Sequence, residues 1–238
     1  MTWMTTARAR RGGWFRYGGL PGKVKPAARL GTVLALALLL ATTAAAAAPL
    51  RLLVLGDSLA AGYGLPQTDG FVAQLQRALA AEGLDVEVVN GGVSGDTTAG
   101  GLARLSWLLG ARAEDQPDAA IVELGANDAL RGLDPEAAFA NLDAILSQLK
   151  ERGIPVLLAG MRAPPNMGRD YEGEFNAIYP RLAASHDVPL YTFFLEGVAA
   201  EHALNQADRI HPNADGVAVI VERILPAVKD LLITAERK

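Results

Sequence analysis

Near its C-terminus the chain carries Asp208-Arg209-Ile210-His211-Pro212-Asn213, in which an acid precedes a histidine by three residues. An imidazole takes protons near neutral pH, and a carboxylate against its other nitrogen fixes the tautomer and stabilises the imidazolium that forms. Such a pair needs a hydroxyl to activate. Ser58, in Gly56-Asp57-Ser58-Leu59 with Ala60-Ala61-Gly62 following, has small neighbours that suit a tight turn with its oxygen exposed. Ser94 competes but lacks the G-x-S-x-G frame, and ranks below Ser58. Acyl transfer also needs donors for a developing oxyanion. Gly95, in Ser94-Gly95-Asp96-Thr97, can present a backbone N–H that no side chain blocks, and Asn127, in Gly125-Ala126-Asn127-Asp128, brings amide N–H groups.

Each residue has a plainer reading. Ser58 suits a helix N-cap, Asn127 a turn or cap, and Gly95 an ordinary loop. The glycines around Ser58 are not a phosphate loop, because Gly-Lys-Ser/Thr is absent, and no G-x-G-x-x-G marks a dinucleotide site at this turn. Asp208 and His211 could ligate a metal, but no further ligands cluster nearby and the chain has three histidines in all. His186 falls at the end of a predicted helix, which suits a capping or surface role, and His202 has no evident partner. Only His211 keeps the right company.

Short apolar runs at Leu50–Leu55, Val86–Val89, Ala119–Leu124, Ile154–Ala159 and Val188–Phe193 read as strands. Several lack polar alternation, as in strands of a parallel sheet covered on both faces. Helical patterns occupy Phe71–Glu82, Thr98–Leu109, Pro135–Arg152, Tyr171–His186 and Asn213–Leu232. Asp134-Pro135-Glu136 is a helix start, and Gly83 and Gly153 sit where helices stop. The alternation predicts one doubly wound α/β domain with about five parallel strands. Ser58, Gly95, Asn127 and His211 then all fall in loops after strands, where function collects in such sheets.

Residues 1–29 hold seven basic residues and no acidic one, and 30–48 run without a charge into a tail of small residues. That is the pattern of a secretory signal peptide cleaved within Ala44–Ala48, with an uncleaved anchor as the alternative. The expected division is a signal segment over 1–48 and a hydrolase domain over 49–238, exported to the periplasm or secreted. Fifteen of the 22 basic residues and all 26 acidic ones lie after residue 48, a balance of −11 that opposes nucleic-acid binding. Cysteine is absent, which excludes disulfides, thiolate metal sites and a Cys nucleophile.

The blocks Gly56–Leu59, Ser94–Thr97, Gly125–Asp128 and Asp208–Asn213 together resemble the SGNH (GDSL-type) hydrolases, in particular their bacterial periplasmic thioesterase, lysophospholipase and arylesterase branch. Similarity continues through Val122–Gly125, Leu130–Gly132 and Ala177–Pro180. The resemblance implies a three-layer flavodoxin-like fold and a triad of Ser58, Asp208 and His211. It puts the oxyanion donors on the Ser58 and Gly95 backbone N–H groups and the Asn127 side chain, with no metal and no organic cofactor. It also suggests Leu130, Leu133, Met161 and Met167 as borders of an acyl groove. The implied activity is hydrolysis of small acyl esters and thioesters by a monomer with no stable protein partner. The same triad would serve a polysaccharide or peptidoglycan deacetylase, and a silent binding protein would keep the groove without the turnover.

Overall fold

Leu52, Leu53, Val54 and Leu55 have almost no exposed surface, because their strand lies in the middle of the sheet with helices on both faces. The computed structural model describes residue 18 and residues 48–237 except 111, 113 and 114. The expected signal segment therefore lies, but for residues 18 and 48, outside the described residues. In chain order the elements are β1 (Leu50–Gly56), α1 (Ser58–Ala61), α2 (Phe71–Ala81), β2 (Val86–Gly92), α3 (Thr98–Leu108), β3 (Ala119–Glu123) and α4 (Ala126–Leu130). Then come α5 (Pro135–Glu151), β4 (Val156–Ala159), α6 (Arg169–Asn176), α7 (Ile178–His186), β5 (Leu190–Tyr191) and α8 (Ala214–Glu236).

The five strands are all parallel, in the order β2-β1-β3-β4-β5. Helix α2 packs against α8 in one outer layer, while α3 packs on α5 and α5 on α7 in the other. This is the three-layer α/β fold expected from the alternation. Register does the positioning: Gly56 pairs with Gly92 on one side and with Glu123 on the other. The ends of β1, β2 and β3 are therefore level, and the chain leaves all three at one edge. Gly92 is needed there, because a Cβ would come within 2.4 Å of the Ala61 backbone nitrogen.

Several elements depart from the sequence expectation for local reasons. Strand β2 continues through Asn90-Gly91-Gly92, residues of low strand propensity that tertiary pairing with β1 holds extended. Strands β4 and β5 start later than their apolar runs, since Pro155 and Pro189 have no N–H for the ladder, and β5 also ends at Tyr191, short of the expected Phe193. The Tyr171–His186 stretch is two helices rather than one. Pro180 sits in the first turn of α7, where no N–H is required, and its ring would clash with the Asn176 carbonyl in a continuous helix.

Candidate active site

Ser58 opens α1, directly after β1. Asp57 caps that short helix by accepting the Leu59 N–H at 3.0 Å, and the Ser58 side chain stays largely buried at the sheet edge. His211 reaches it from the opposite end of the sequence. Its Nε2 lies 2.9 Å from the Ser58 Oγ, and its Nδ1 lies 2.7 Å from Asp208 Oδ2. This network assigns Nδ1–H as donor to Asp208, which leaves Nε2 to accept the serine proton.

A hairpin-like loop holds the imidazole in place. The Gln206 N–H donates to the His211 carbonyl, the Arg209 N–H to the Gln206 carbonyl, and Asn205 bridges Pro212. Asp208 Oδ1 accepts both the Ile210 and His211 N–H groups at 3.0 Å. Those two backbone donors, His211 first, and then the imidazole hold the Asp208 carboxyl down from 3.8 to about 2. The Tyr63 ring lies 4.5 Å from the His211 ring, and the Gln206 amide donates to the Tyr63 carbonyl. Sequence reasoning passed over Tyr63 and Gln206; no spacing rule links either to residue 211.

Gly95 and Asn127 arrive from the ends of β2 and β3. Gly95 has φ +85°, a left-handed conformation that glycine adopts without strain, and its carbonyl accepts from Arg131 Nη2 at 2.7 Å. Asn127 lies on α4 rather than in a plain loop. Its Nδ2 donates to Asp57 Oδ2 at 3.0 Å and to the Asp96 carbonyl at 2.9 Å. Both amide hydrogens are thus engaged at rest, and donating to an oxyanion requires one of them to be shared.

A buried acidic layer lies beneath. Burial raises the Asp57 carboxyl from 3.8 to about 6, against the lowering pull of the Leu59 and Asn127 hydrogen bonds. Burial drives Glu123 well above 4.5, and the nearby Asp57 charge adds to this. Asp128, also buried, accepts the Thr98 N–H at 2.8 Å and the Thr98 hydroxyl at 2.6 Å, tying the start of α3 to α4. Asp96 Oδ2 accepts from Arg104 Nε at 2.6 Å, while Arg104 Nη2 reaches the Gly56 carbonyl. The loops after all three strands are therefore cross-braced.

Ser58, Asn127 and His211 open onto a cavity of about 620 Å³. Leu130 and Met161 lie on its wall, with Phe193, Leu195 and Ile210, which no motif or spacing singles out. Leu133 and Met167 are not part of this wall. Leu133 instead gives its carbonyl to the Tyr171 hydroxyl at 2.8 Å, and the Met167 methyl lies beside Gly132. The other histidines are elsewhere: His186 Nε2 pairs with Asp143 Oδ1 at 2.8 Å at the end of α7, and His202 is exposed in a single 3₁₀ turn.

Comparison with known proteins agrees with this geometry. The sequence profile of the GDSL-like lipase/acylhydrolase family matches residues 54–219. Esterase TesA of Pseudomonas aeruginosa is 45% identical over 197 residues, covering 83% of this chain and 96% of that protein. Thioesterase 1/protease 1/lysophospholipase L1 of Escherichia coli is 42% identical, over 82% of this chain and 90% of the relative. The crystal structure of AlinE4, an SGNH-hydrolase family esterase, superposes with TM-score 0.65 at 49% identity, covering 77% and 97% of the two chains. The chain belongs to the GDSL-like lipase/acylhydrolase family and is an ester hydrolase of the SGNH type.

Proposed function

We propose that the protein hydrolyses carboxylic esters and acyl thioesters through an acyl-enzyme on Ser58. The observation that carries this reading is the unbroken line from Asp208 through His211 to the Ser58 hydroxyl, at 2.7 and 2.9 Å, at the mouth of a largely apolar cavity. Ser58 Oγ attacks the acyl carbon as His211 Nε2 takes its proton. The oxyanion so formed draws on the Ser58 and Gly95 backbone N–H groups and on Asn127. As the intermediate collapses, His211 returns the proton to the departing alcohol or thiol. Water then adds to the acyl-enzyme by the same route and frees the acid and Ser58. Asp208 keeps its charge throughout, since its low pKa leaves it ionised at any working pH.

The cavity supports acyl chains over acetyl groups. Leu130, Met161, Phe193, Leu195 and Ile210 offer an alkyl chain about 0.8 kcal/mol per buried methylene, a gain that an acetyl-sugar ester cannot draw on. That disfavours the deacetylase alternative. The basic, then apolar, then small-residue N-terminus supports export to the periplasm or medium, and Ser58, His211 and Asp208 meet within a single chain, as a working monomer requires. Turnover of a short-chain aryl ester tests the proposal. Ser58→Ala, folded by circular dichroism, is expected to lose it, and a Ser58→Ala enzyme as active as wild type would end the proposal.

A further inference from the structure

Among the described residues, three non-glycine residues have positive φ: Asp187, Ala200 and Arg209, at 56°, 66° and 62°. Asp187 is the left-handed cap of α7, an ordinary use of that conformation. Ala200 and Arg209 share something else, because both line the large cavity and both line a second one of about 260 Å³ beside it. The second cavity is completed by His202 and Asn205. Asn205 spends its amide hydrogens on the Val198 and Glu201 carbonyls, which leaves Arg209 and His202 as the donors facing this space.

Arg209 stands out twice. The loop between Gln206 and His211 requires a left-handed backbone at this position, which glycine supplies most readily, so the arginine is kept against a local conformational cost. It is exposed and forms no ion pair among the described residues. The other arginine on the large cavity, Arg162, faces Glu196 at 3.9 Å and lies over the Phe193 ring. Among the described residues Glu172 is the one acid on the large cavity, and none lines the smaller cavity. Within a domain whose balance is −11, the annex is lined by one positive side chain and no negative one, the neighbouring Asp208 carboxylate being turned to the Ile210 and His211 N–H groups and the imidazole.

We propose that the annex formed by Arg209 and His202 is an anion subsite that recognises a phosphate group on the substrate, next to the bond that Ser58 cleaves. A guanidinium fork matches phosphate oxygens in pairs, and its position two residues before His211 puts the contact beside the reacting centre. The subsite rests on the hydrolase reading and, within it, assigns recognition of a substrate phosphate to Arg209 and His202. Such a phosphate has two sources, a phosphorylated thiol carrier or a lysophospholipid headgroup.

Matched substrates separate them. Hexanoyl-CoA is compared with hexanoyl-N-acetylcysteamine, the same thioester without phosphates, and hexanoyl-lysophosphatidylglycerol with monohexanoylglycerol. For Arg209→Gly, the ratio of kcat/KM for the phosphorylated over the neutral member is expected to fall about tenfold in at least one pair, with Arg209→Lys between the two. A fall in the CoA pair alone identifies the carrier as source, and a fall in the lipid pair alone identifies the headgroup. Arg209→Gly should unfold at the same temperature as wild type or higher, since glycine relieves the left-handed strain. Calorimetric titration of CoA and of glycerophosphoglycerol, the free carrier and headgroup, into Ser58→Ala and Ser58→Ala/Arg209→Gly repeats the comparison without turnover. Absence of hydrolysis would then count against the hydrolase reading, and the subsite would still be judged by binding. Unchanged ratios in both pairs, or equal binding of each titrant to the two Ser58→Ala proteins, would overturn the subsite.

Discussion

Asn127 joins a structural role to the oxyanion role proposed for it. Its amide nitrogen is held by Asp57 and the Asp96 carbonyl, which fixes the orientation of the side chain at the cavity edge. Truncation removes one oxyanion donor while the triad remains in place. We expect Asn127→Ala to lower kcat by roughly 10²–10³ with a much smaller change in KM, measured on an aryl ester. A loss confined to KM would assign Asn127 to substrate binding instead. The triad was legible at this scale because each member announces itself by type: a serine after a strand, a histidine, and an acid three residues before it. Tyr63 and Gln206 were not, because packing a ring on an imidazole and bracing a loop leave no spacing signature.

At the scale of elements, the level ends of β1, β2 and β3 bring residues 58, 95 and 127 together, and α8 anchors the fourth segment. Asn213 joins that helix to the histidine loop: its Oδ1 caps α8 through the Gly216 N–H at 2.9 Å, and its Nδ2 donates to the Ala203 carbonyl at 2.8 Å. Asn213→Ala should cost about 1–2 kcal/mol by urea denaturation, and should also reduce kcat by loosening His211 two residues away. Full stability in this variant would show that the loop is held by Gln206 and Asn205 alone. Strand–helix alternation made the five strands readable, because continuous apolar runs report burial on both faces. Where proline or glycine intervened, the pattern misled. The glycine end of β2 looked like loop, and the proline in α7 was hidden inside an otherwise helical stretch. Groove residues were hardest, since Leu130 and Leu133 differ in sequence only by position, and only α4 decides that one faces the cavity.

For the molecule as a whole, the buried carboxyls of Asp57 and Glu123 pull stability one way with pH and Asp208 pulls it the other. The raised pKa of Asp57 means that between 3.8 and about 6 the folded state keeps a proton that the unfolded chain has lost, so stability falls as pH rises through that window. A shift of this size corresponds to roughly 3 kcal/mol, present as a cost at neutral pH. The depressed pKa of Asp208 acts below that window: its contribution is in place above 3.8 and is lost as pH falls toward about 2. Urea midpoints recorded from pH 4.5 to 7.5 should therefore decline for wild type, and Asp57→Asn should make the decline shallower, the remainder belonging to Glu123. An identical slope in the two proteins would mean that Asp57 is not the group responsible.

The convergence of distant segments on one reactive oxygen is tested most directly by a fluorophosphonate probe followed by peptide mass spectrometry. The expected result is one adduct per chain on the peptide containing Ser58, abolished in a folded His211→Ala variant. Labelling of Ser94 instead, or labelling of Ser58 at an unchanged rate without the imidazole, would contradict it.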